Sequence, residues 1–456
     1  MLRHMKNRML KLSVLLLPLL LASCGGSGNG ELIGVQDRPI FYQPDPYGMV
    51  FIPMGSYTMG TADQDVPYAL VHQPRTVSLQ AFYMDETEIT NNEYRQFVYW
   101  VRDSLARTLL GDLFPEDYLI EEDEYGNLID PPRLNWDMEI IWDGEEEREA
   151  LEELYYPEHE RFYRRRAIDP RKLNFEYYWI DYMAAAQKDF SETNNEAGSW
   201  ANRPQGLRDR SVFIRKEVIN VYPDTLSWIH DYAYSFNEPM AQSYFSHPAY
   251  DHYPVVGVSW KQAQAFCVWR TRLMNGYLEG RGEPVVNEFR LPSEAEWEWA
   301  ARGGLDASPY PWGGPYVRNT EGCFLGNYKP LRGDYVDDGG LHTVIVGHYA
   351  PNDFGLYDMA GNVAEWTNDA FDESSYNFTW DLNPSYEYNA KESDPPVLKR
   401  KVVRGGSWKD VGYYMQVSSR TYEYQDTAKC YLGFRCVQTY LGRQKGDNLS
   451  AASNVY

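Results

Sequence analysis

The stretch Gly355-Leu356-Tyr357-Asp358-Met359-Ala360-Gly361-Asn362-Val363-Ala364-Glu365-Trp366 is the part of this 456-residue chain on which the fold turns. Gly361 permits backbone conformations that a side chain would forbid. Trp366 offers a large apolar surface to a core that has few regular elements to fill it. The same pairing of glycine with tryptophan returns in Arg404-Gly405-Gly406-Ser407-Trp408. Around both stretches, from Gly304 onward, the chain is rich in Gly, Asn, Asp and aromatics, and long regular segments are hard to find. A body of this type is held by loops packed on a small mixed α+β core.

Upstream, the pattern is more regular. Met49-Val50-Phe51-Ile52-Pro53 reads as a short strand followed by a turn, and Thr76-Val77-Ser78-Leu79 alternates as a strand with one buried face. Thr90 with Glu93 forms a capping box, and Tyr94, Phe97, Val98, Val101 and Leu105 recur at helical spacing until Gly111. Ser259 with Gln262, and Ser293 with Glu296, open two further helices, the second stopping at Gly303-Gly304.

Between about 111 and 250 the texture changes to acidic runs, Arg164-Arg165-Arg166 and scattered tyrosine, which reads as a large helical and aromatic insert. Glu146 to Tyr155 and Phe175 to Ala186 are its expected helices. Its Tyr and Trp content is too high for an unpacked chain. These rings either fill the insert's own core or serve an interface, and the composition supports both.

The N-terminus is basic at Arg3, Lys6, Arg8 and Lys11, then apolar from Leu12 to Leu21, a run too short to span a bilayer as a stable helix. Leu21-Ala22-Ser23-Cys24 has the form of a lipobox, and the glycine-rich residues after Cys24 read as a tether. The expected layout is a signal peptide over 1–23, a lipidated tether over 24–46, a domain over 47–441 and a polar tail over 442–456. Lipid on Cys24 would attach the chain to a membrane.

A net charge of −23 opposes phosphate backbones, so nucleic acid is not an expected partner. The acidic excess gathers in Asp112 to Glu160, as a solvated face or as a docking surface for a basic partner. Setting Cys24 aside leaves Cys267, Cys323, Cys430 and Cys436, which allow three pairings. No zinc-type cysteine cluster and no His-Glu-x-x-His occur.

Several blocks now resemble one family. Glu88-Ile89-Thr90, Pro254-Val255-Val256-Gly257-Val258-Ser259-Trp260, Arg290-Leu291-Pro292-Ser293-Glu294-Ala295-Glu296-Trp297 and Tyr310-Pro311-Trp312-Gly313 are similar to the formylglycine-generating enzyme family. The stretch ending at Trp366, Arg404 to Trp408, and Gly433-Phe434-Arg435-Cys436 complete the set in family order. The resemblance covers about Met49 to Tyr440 with the insert excluded. It implies a C-type-lectin-like mixed fold with a disulfide between Cys267 and Cys436, leaving Cys323 and Cys430 as a second pair. It also implies structural calcium at two sets of positions, Asn327, Tyr328, Asp338 and Gly340, and Ala360, Gly361, Val363 and Glu365. Carboxylate, amide and carbonyl oxygens on turning loops suit such a hard cation.

The resemblance brings no catalyst with it. The family's oxidase binds copper through two cysteines, and a soft thiolate is what monovalent copper requires. Aligned on Arg420, those positions fall near Gly412 and Val417, and Gly412 to Arg420 contains no cysteine. The expectation is a pseudo-enzyme without copper and with no catalytic residues. Ser407 lacks the context of a nucleophile elbow.

The lipobox, the domain and the long insert together resemble the non-catalytic lipoproteins of type IX secretion and gliding motility. That resemblance implies an outer-membrane, periplasm-facing ring subunit that self-associates and binds a soluble periplasmic protein. A lectin-like lipoprotein binding glycan or peptidoglycan beside Trp312, Tyr413 and Trp408 is the second expectation. An atypical oxidase is the third.

Overall fold

In a computed structural model describing residues 41–61, 73–123, 125–182, 185, 210–330, 334, 336–337 and 340–442, the capping box at Thr90 forms as expected. Glu93 N donates to Thr90 Oγ1 at 3.3 Å, and the Glu93 carboxylate accepts from Thr90 N at 2.8 Å. Helix α1, Asn91–Gly111, follows and buries Tyr94, Phe97, Val98 and Val101 along one stripe. The signal segment with Cys24, and the tail beyond Gly442, lie outside the described residues.

The body from Gln43 onward is built on two small sheets. The first joins β1 (Met49–Ile52), β4 (Phe82–Asp85), β14 (Val437–Thr439) and β9 (Phe289–Arg290), all antiparallel, so both ends of the body meet in one sheet. The second has the order β12 (Thr421–Tyr424), β11 (Arg400–Arg404), β10 (Ala364–Ala370) and β13 (Leu432–Gly433). Its last junction is parallel, with Glu365 opposite Gly433. Strands β2 (Gly55–Met59) and β3 (Arg75–Leu79) form a separate antiparallel pair. The fold is therefore mixed helix and strand, with short strands joined by long loops.

Helices α5 (Trp260–Gly280) and α6 (Glu294–Arg302) start at the two predicted capping boxes, and α6 stops at Gly303 with φ +60°. The main core lies where α1, α5 and β13 meet. Tyr94 stacks on Phe266 at 5.6 Å between ring centroids, and both rings meet Phe434 edge-on.

The segment read as an insert is packed on the body where it is described. Helix α2 (Glu145–Ala150) and a 3₁₀ turn at Leu151–Leu154 pack Leu151 and Leu154 with Tyr118 against Ala106 and Leu110 of α1. The far half of α1 thus serves as the core of the insert. Trp136 stacks on Trp100 at 5.3 Å, and Arg107 donates to the carbonyls of Asn135 and Met138. Tyr125, Phe162, Tyr163, Tyr234 and Phe236 remain exposed, so some rings fill a core and others do not. Glu145, Glu146 and Glu147 line a helix with no buried residue, a solvated face.

One expected helix is a strand. Asn174–Ile180 is β7, paired residue by residue with β8, Ile214–Asn220. Phe175 and Tyr177 alternate into the core, which a helix over the same residues could not achieve. Sequential aromatics suit either state until a partner strand is supplied, and that partner is distant in the chain.

Arg435 lies at the centre of the body, fully buried. Its Nε reaches both oxygens of Glu365 at 2.9 and 2.8 Å, its Nη2 reaches Oε1 at 2.6 Å, and Trp297 Nε1 donates to Oε2 at 2.7 Å. Replacing Arg435 with methionine leaves Glu365 charged, buried and short of donors. A loss of roughly 3–5 kcal/mol is expected in urea unfolding of the chain. A change within error of zero would show that the pair does not hold the core.

Candidate functional site

The positions that resemblance aligns with the oxidase's copper ligands, near Gly412 and Val417, fall on the loop from Gly405 to Arg420. Gly405 and Gly406 turn the chain with φ of +89° and +68°, and a side chain at 406 would meet Tyr414 O at 2.7 Å. Arg404 Nη1 then holds the carbonyls of Ser418 and Ser419 at 2.8 and 2.9 Å, while Val417 N donates to Pro309 O at 2.8 Å. Val417 is fully buried among Ile52, Phe82, Met84 and Trp297. Met415 fills the neighbouring space beside Tyr310 and Ala360, and the carbonyl of Gly412 accepts from Tyr310 Oη at 3.0 Å. Val417 is therefore part of the apolar core, and Gly412 lies on a loop pinned by hydrogen bonds.

Residues from the insert close the same region. Trp228, in α3 (Ser227–His230), stacks on Trp408 with ring centroids 6.0 Å apart and an interplanar angle of 16°. Tyr232 and His342 pack on Trp408 at 5.4 and 4.9 Å. Burial pulls the His342 imidazole below its usual pKa, favouring the neutral ring. Trp312 lies flat against Tyr310 at 5.1 Å and 5°. Ser407 spends its hydroxyl on Asp410 at 2.6 Å, with no histidine bonded to it.

Among the described residues, Cys267, Cys323, Cys430 and Cys436 carry no bridge. Cys267 and Cys436 bring their Sγ atoms to 3.5 Å in the core, so the residues paired by resemblance are neighbours. Cys323 is exposed and follows a turn at Asn319, whereas Cys430 is fully buried beside Trp408 and Trp228. Burial, then the nearby Asp231 carboxylate, push the Cys430 thiol well above its ordinary pKa. A thiol held protonated is a poor soft-metal ligand.

The calcium positions meet a physical obstacle at Glu365. Its carboxylate is already occupied by Arg435 and Trp297, so it does not fit a cation, and the second set loses its one charged ligand. Ala360, Gly361 and Val363 instead shape the turn: Gly361, at φ +88°, lies where a Cβ would sit 2.4 Å from Asn327 O. In the first set, Asn327 is buried and directs Nδ2 to His342 O at 2.7 Å, with its oxygen beside Gly340. Tyr328 is half-buried, and Asp338 lies outside the described residues. Among the described residues, no three His, Cys, Asp or Glu side chains cluster to hold a metal.

Sequence reading missed the carboxylates around Arg435. Glu88 accepts from Asn362 Nδ2 at 2.6 Å and from Val363 N at 3.1 Å, and burial raises its pKa well above the usual range. Burial likewise raises Asp358 to about 6; its Oδ2 accepts from Gly347 N at 2.6 Å, while Oδ1 has no partner. The Glu-Ile-Thr and Tyr-Asp-Met blocks hold these acids, but their sequence separation hides the cluster.

The family's sequence model, for a sulfatase-modifying factor enzyme 1-like domain, matches residues 40–125 and 134–440. The chain belongs to the sulfatase-modifying factor enzyme 1-like family. The match runs through most of the segment read as an insert. An inactive C-alpha-formylglycine-generating enzyme 2 from Bos taurus is 29% identical over 299 residues, covering 61% of this chain and 82% of that protein. The formylglycine-generating enzyme from Bos taurus is 25% identical over 402 residues, covering 87% of this chain and 76% of that one. PvdO from Pseudomonas aeruginosa, a solved structure, shares 17% identity with a TM-score of 0.43, covering 88% of this chain and 99% of its own. Relatives named as the enzyme and as an inactive form both occur, so membership in the family leaves catalysis to the residues at the site.

Two outcomes follow from this geometry. Trp228→Ala should uncover Trp408, cost roughly 3–5 kcal/mol and raise acrylamide quenching of tryptophan fluorescence; unchanged quenching and stability would show that Trp228 is not a cover. Asp358, ordinarily near 3.8 and here about 6, holds its proton in the folded chain over a range where the unfolded chain releases it. Its contribution to stability is therefore lost as pH rises from about 4 to 6. Asp358→Asn keeps an acceptor for Gly347 N and should flatten that decline in thermal unfolding, whereas an unaltered slope would assign it elsewhere.

Proposed function

We propose that this chain is a non-catalytic lipoprotein of the GldK (PorK) kind, a ring subunit of the type IX secretion and gliding machinery. In this reading, lipid on Cys24 holds it to the periplasmic side of the outer membrane, and it assembles with further copies of itself and a soluble GldN/PorN-like protein. One observation supports the proposal: the positions that resemblance aligns with the oxidase's copper ligands fall near Gly412 and Val417, where the chain has no cysteine and Val417 is buried in the core, and Trp228 stacks on Trp408. A scaffold closed in this way has its surfaces to offer, and it keeps exposed aromatics at Tyr125, Phe162, Tyr163, Tyr234 and Phe236. Inactive relatives are in keeping with a pseudo-enzyme.

Crosslinking in isolated outer membranes, followed by solubilisation, should yield large oligomers that contain this chain and a stoichiometric soluble periplasmic protein. A monodisperse monomer without a co-purifying protein would overturn the assembly reading. Incubated with copper and a cysteine-bearing sulfatase peptide, the purified body should form no aldehyde, and conversion of the peptidyl thiol would overturn the pseudo-enzyme reading.

A further inference from the structure

The N-terminal end of the described chain is fixed to the body. Gln43 is fully buried; its Nε2 donates to Gln438 Oε1 at 3.0 Å, and its Oε1 accepts from Leu441 N at 2.7 Å. Asp45 accepts from Tyr83 Oη at 3.0 Å. Just beyond these anchors the chain turns at Tyr47, whose side chain is 98% exposed. Helix α5 continues the same surface. Arg270 Nη2 donates to Tyr47 O at 3.3 Å, and further along this side of the helix come Leu273 and Tyr277, 52% and 59% exposed. Beside them, Gly276 and Gly280 leave open space where a Cβ would stand, so the helix surface there is low.

The arginines that border this face are matched within the chain: Arg270 pairs with Asp85 at 2.8 Å and Arg281 with Glu283 at 3.2 Å, and Arg281 Nη1 also donates to Tyr277 Oη at 2.6 Å. An apolar face with balanced charge stands out on a chain of net charge −23. Its area decides what can lie on it. From the size of such side chains, Tyr47, Leu273 and Tyr277 expose roughly 400 Å². A stable protein interface buries about 800 Å² on each partner, so the patch is too small to hold a free protein or a second copy. A surface to which the chain is already tied needs no such area, because the tie makes the contact intramolecular. The covalent path from Cys24 ends at Gln43, beside this patch, and spans at most about 65 Å.

We propose that the face formed by Tyr47, Leu273 and Tyr277 lies on the phospholipid surface in which Cys24 is anchored. Tyrosine suits that position, since its ring enters the apolar boundary while its hydroxyl stays among the headgroups. Contact there fixes which side of the body meets the membrane. The proposal rests on the lipid anchor at Cys24 proposed above, and on no residue near Trp408.

The test is hydroxyl-radical footprinting of the full lipidated chain on vesicles of phosphatidylethanolamine and phosphatidylglycerol, with the unlipidated Cys24→Ser chain in buffer as reference. Oxidation of Tyr47, Leu273 and Tyr277 should fall several-fold on the vesicles, while Tyr125 and Tyr234, which are also exposed, keep the reference rate. Leu273→Ser combined with Tyr277→Ser changes side chains already open to water, so the thermal midpoint should stay close to wild type while the protection of Tyr47 is lost. Unchanged oxidation at all three positions in vesicle-bound, lipidated chain would overturn this proposal and leave the anchor standing. Mass spectrometry showing no lipid on Cys24 would overturn the anchor and the proposal together. Equally low oxidation of the three side chains in the Cys24→Ser chain without vesicles would also overturn it, assigning the face to the chain's own ends or to a second copy.

Discussion

Everything in the body is arranged around one buried ion pair. Arg435 and Glu365 are 0% and 1% exposed, and their bonds reach four separate parts of the chain. Glu365 lies on β10, and Arg435 lies two residues before the start of β14. Trp297 on α6 completes the carboxylate, and the carbonyls of Asp85 and Tyr357 complete the guanidinium at 3.1 and 3.0 Å. Charges this deep are tolerable only when every donor and acceptor is used. The two sheets, the third capped helix and the Gly355–Trp366 loop are therefore fixed relative to each other. The same requirement takes Glu365 away from any cation, so a carboxylate that resemblance assigns to calcium is spent on structure.

A second buried network repeats the logic. Glu298 bonds Arg302 and Arg404, and Glu294 bonds Arg420, all within a few per cent of full burial. Arg404 then reaches across to the carbonyls of Ser418 and Ser419. The loop from Gly405 to Arg420 is thereby tied to the core from beneath. Val417 and Met415 are packed below it and Trp228 lies on Trp408, while Val411 to Tyr414 stay half-buried.

The segment from 111 to 250 has a divided character. Its first part borrows the far end of α1 as a core, which explains how so acidic a stretch folds at all. Its last part supplies the aromatic cover over Trp408. Between them, the paired strands β7 and β8 bury Phe175 and Tyr177 and leave Tyr178, Ile180, Ile214 and Val218 exposed.

The sequence by itself determined the family blocks and their order, the three capped helices and the absence of cysteine at 412 and 417. These are local matters: a capping box is complete within four residues, and the stripe from Tyr94 to Val101 needs only helical periodicity. The tertiary structure alone decided that Phe175 begins a buried strand face, that Trp228 lies on Trp408, that Cys267 and Cys436 touch, and that Glu88, Asp358 and Glu365 gather about Arg435. Each of those depends on partners dozens to hundreds of residues apart. Hydrogen-bond pairing and desolvation are set by which surfaces meet in space, and no short window of residues contains that information.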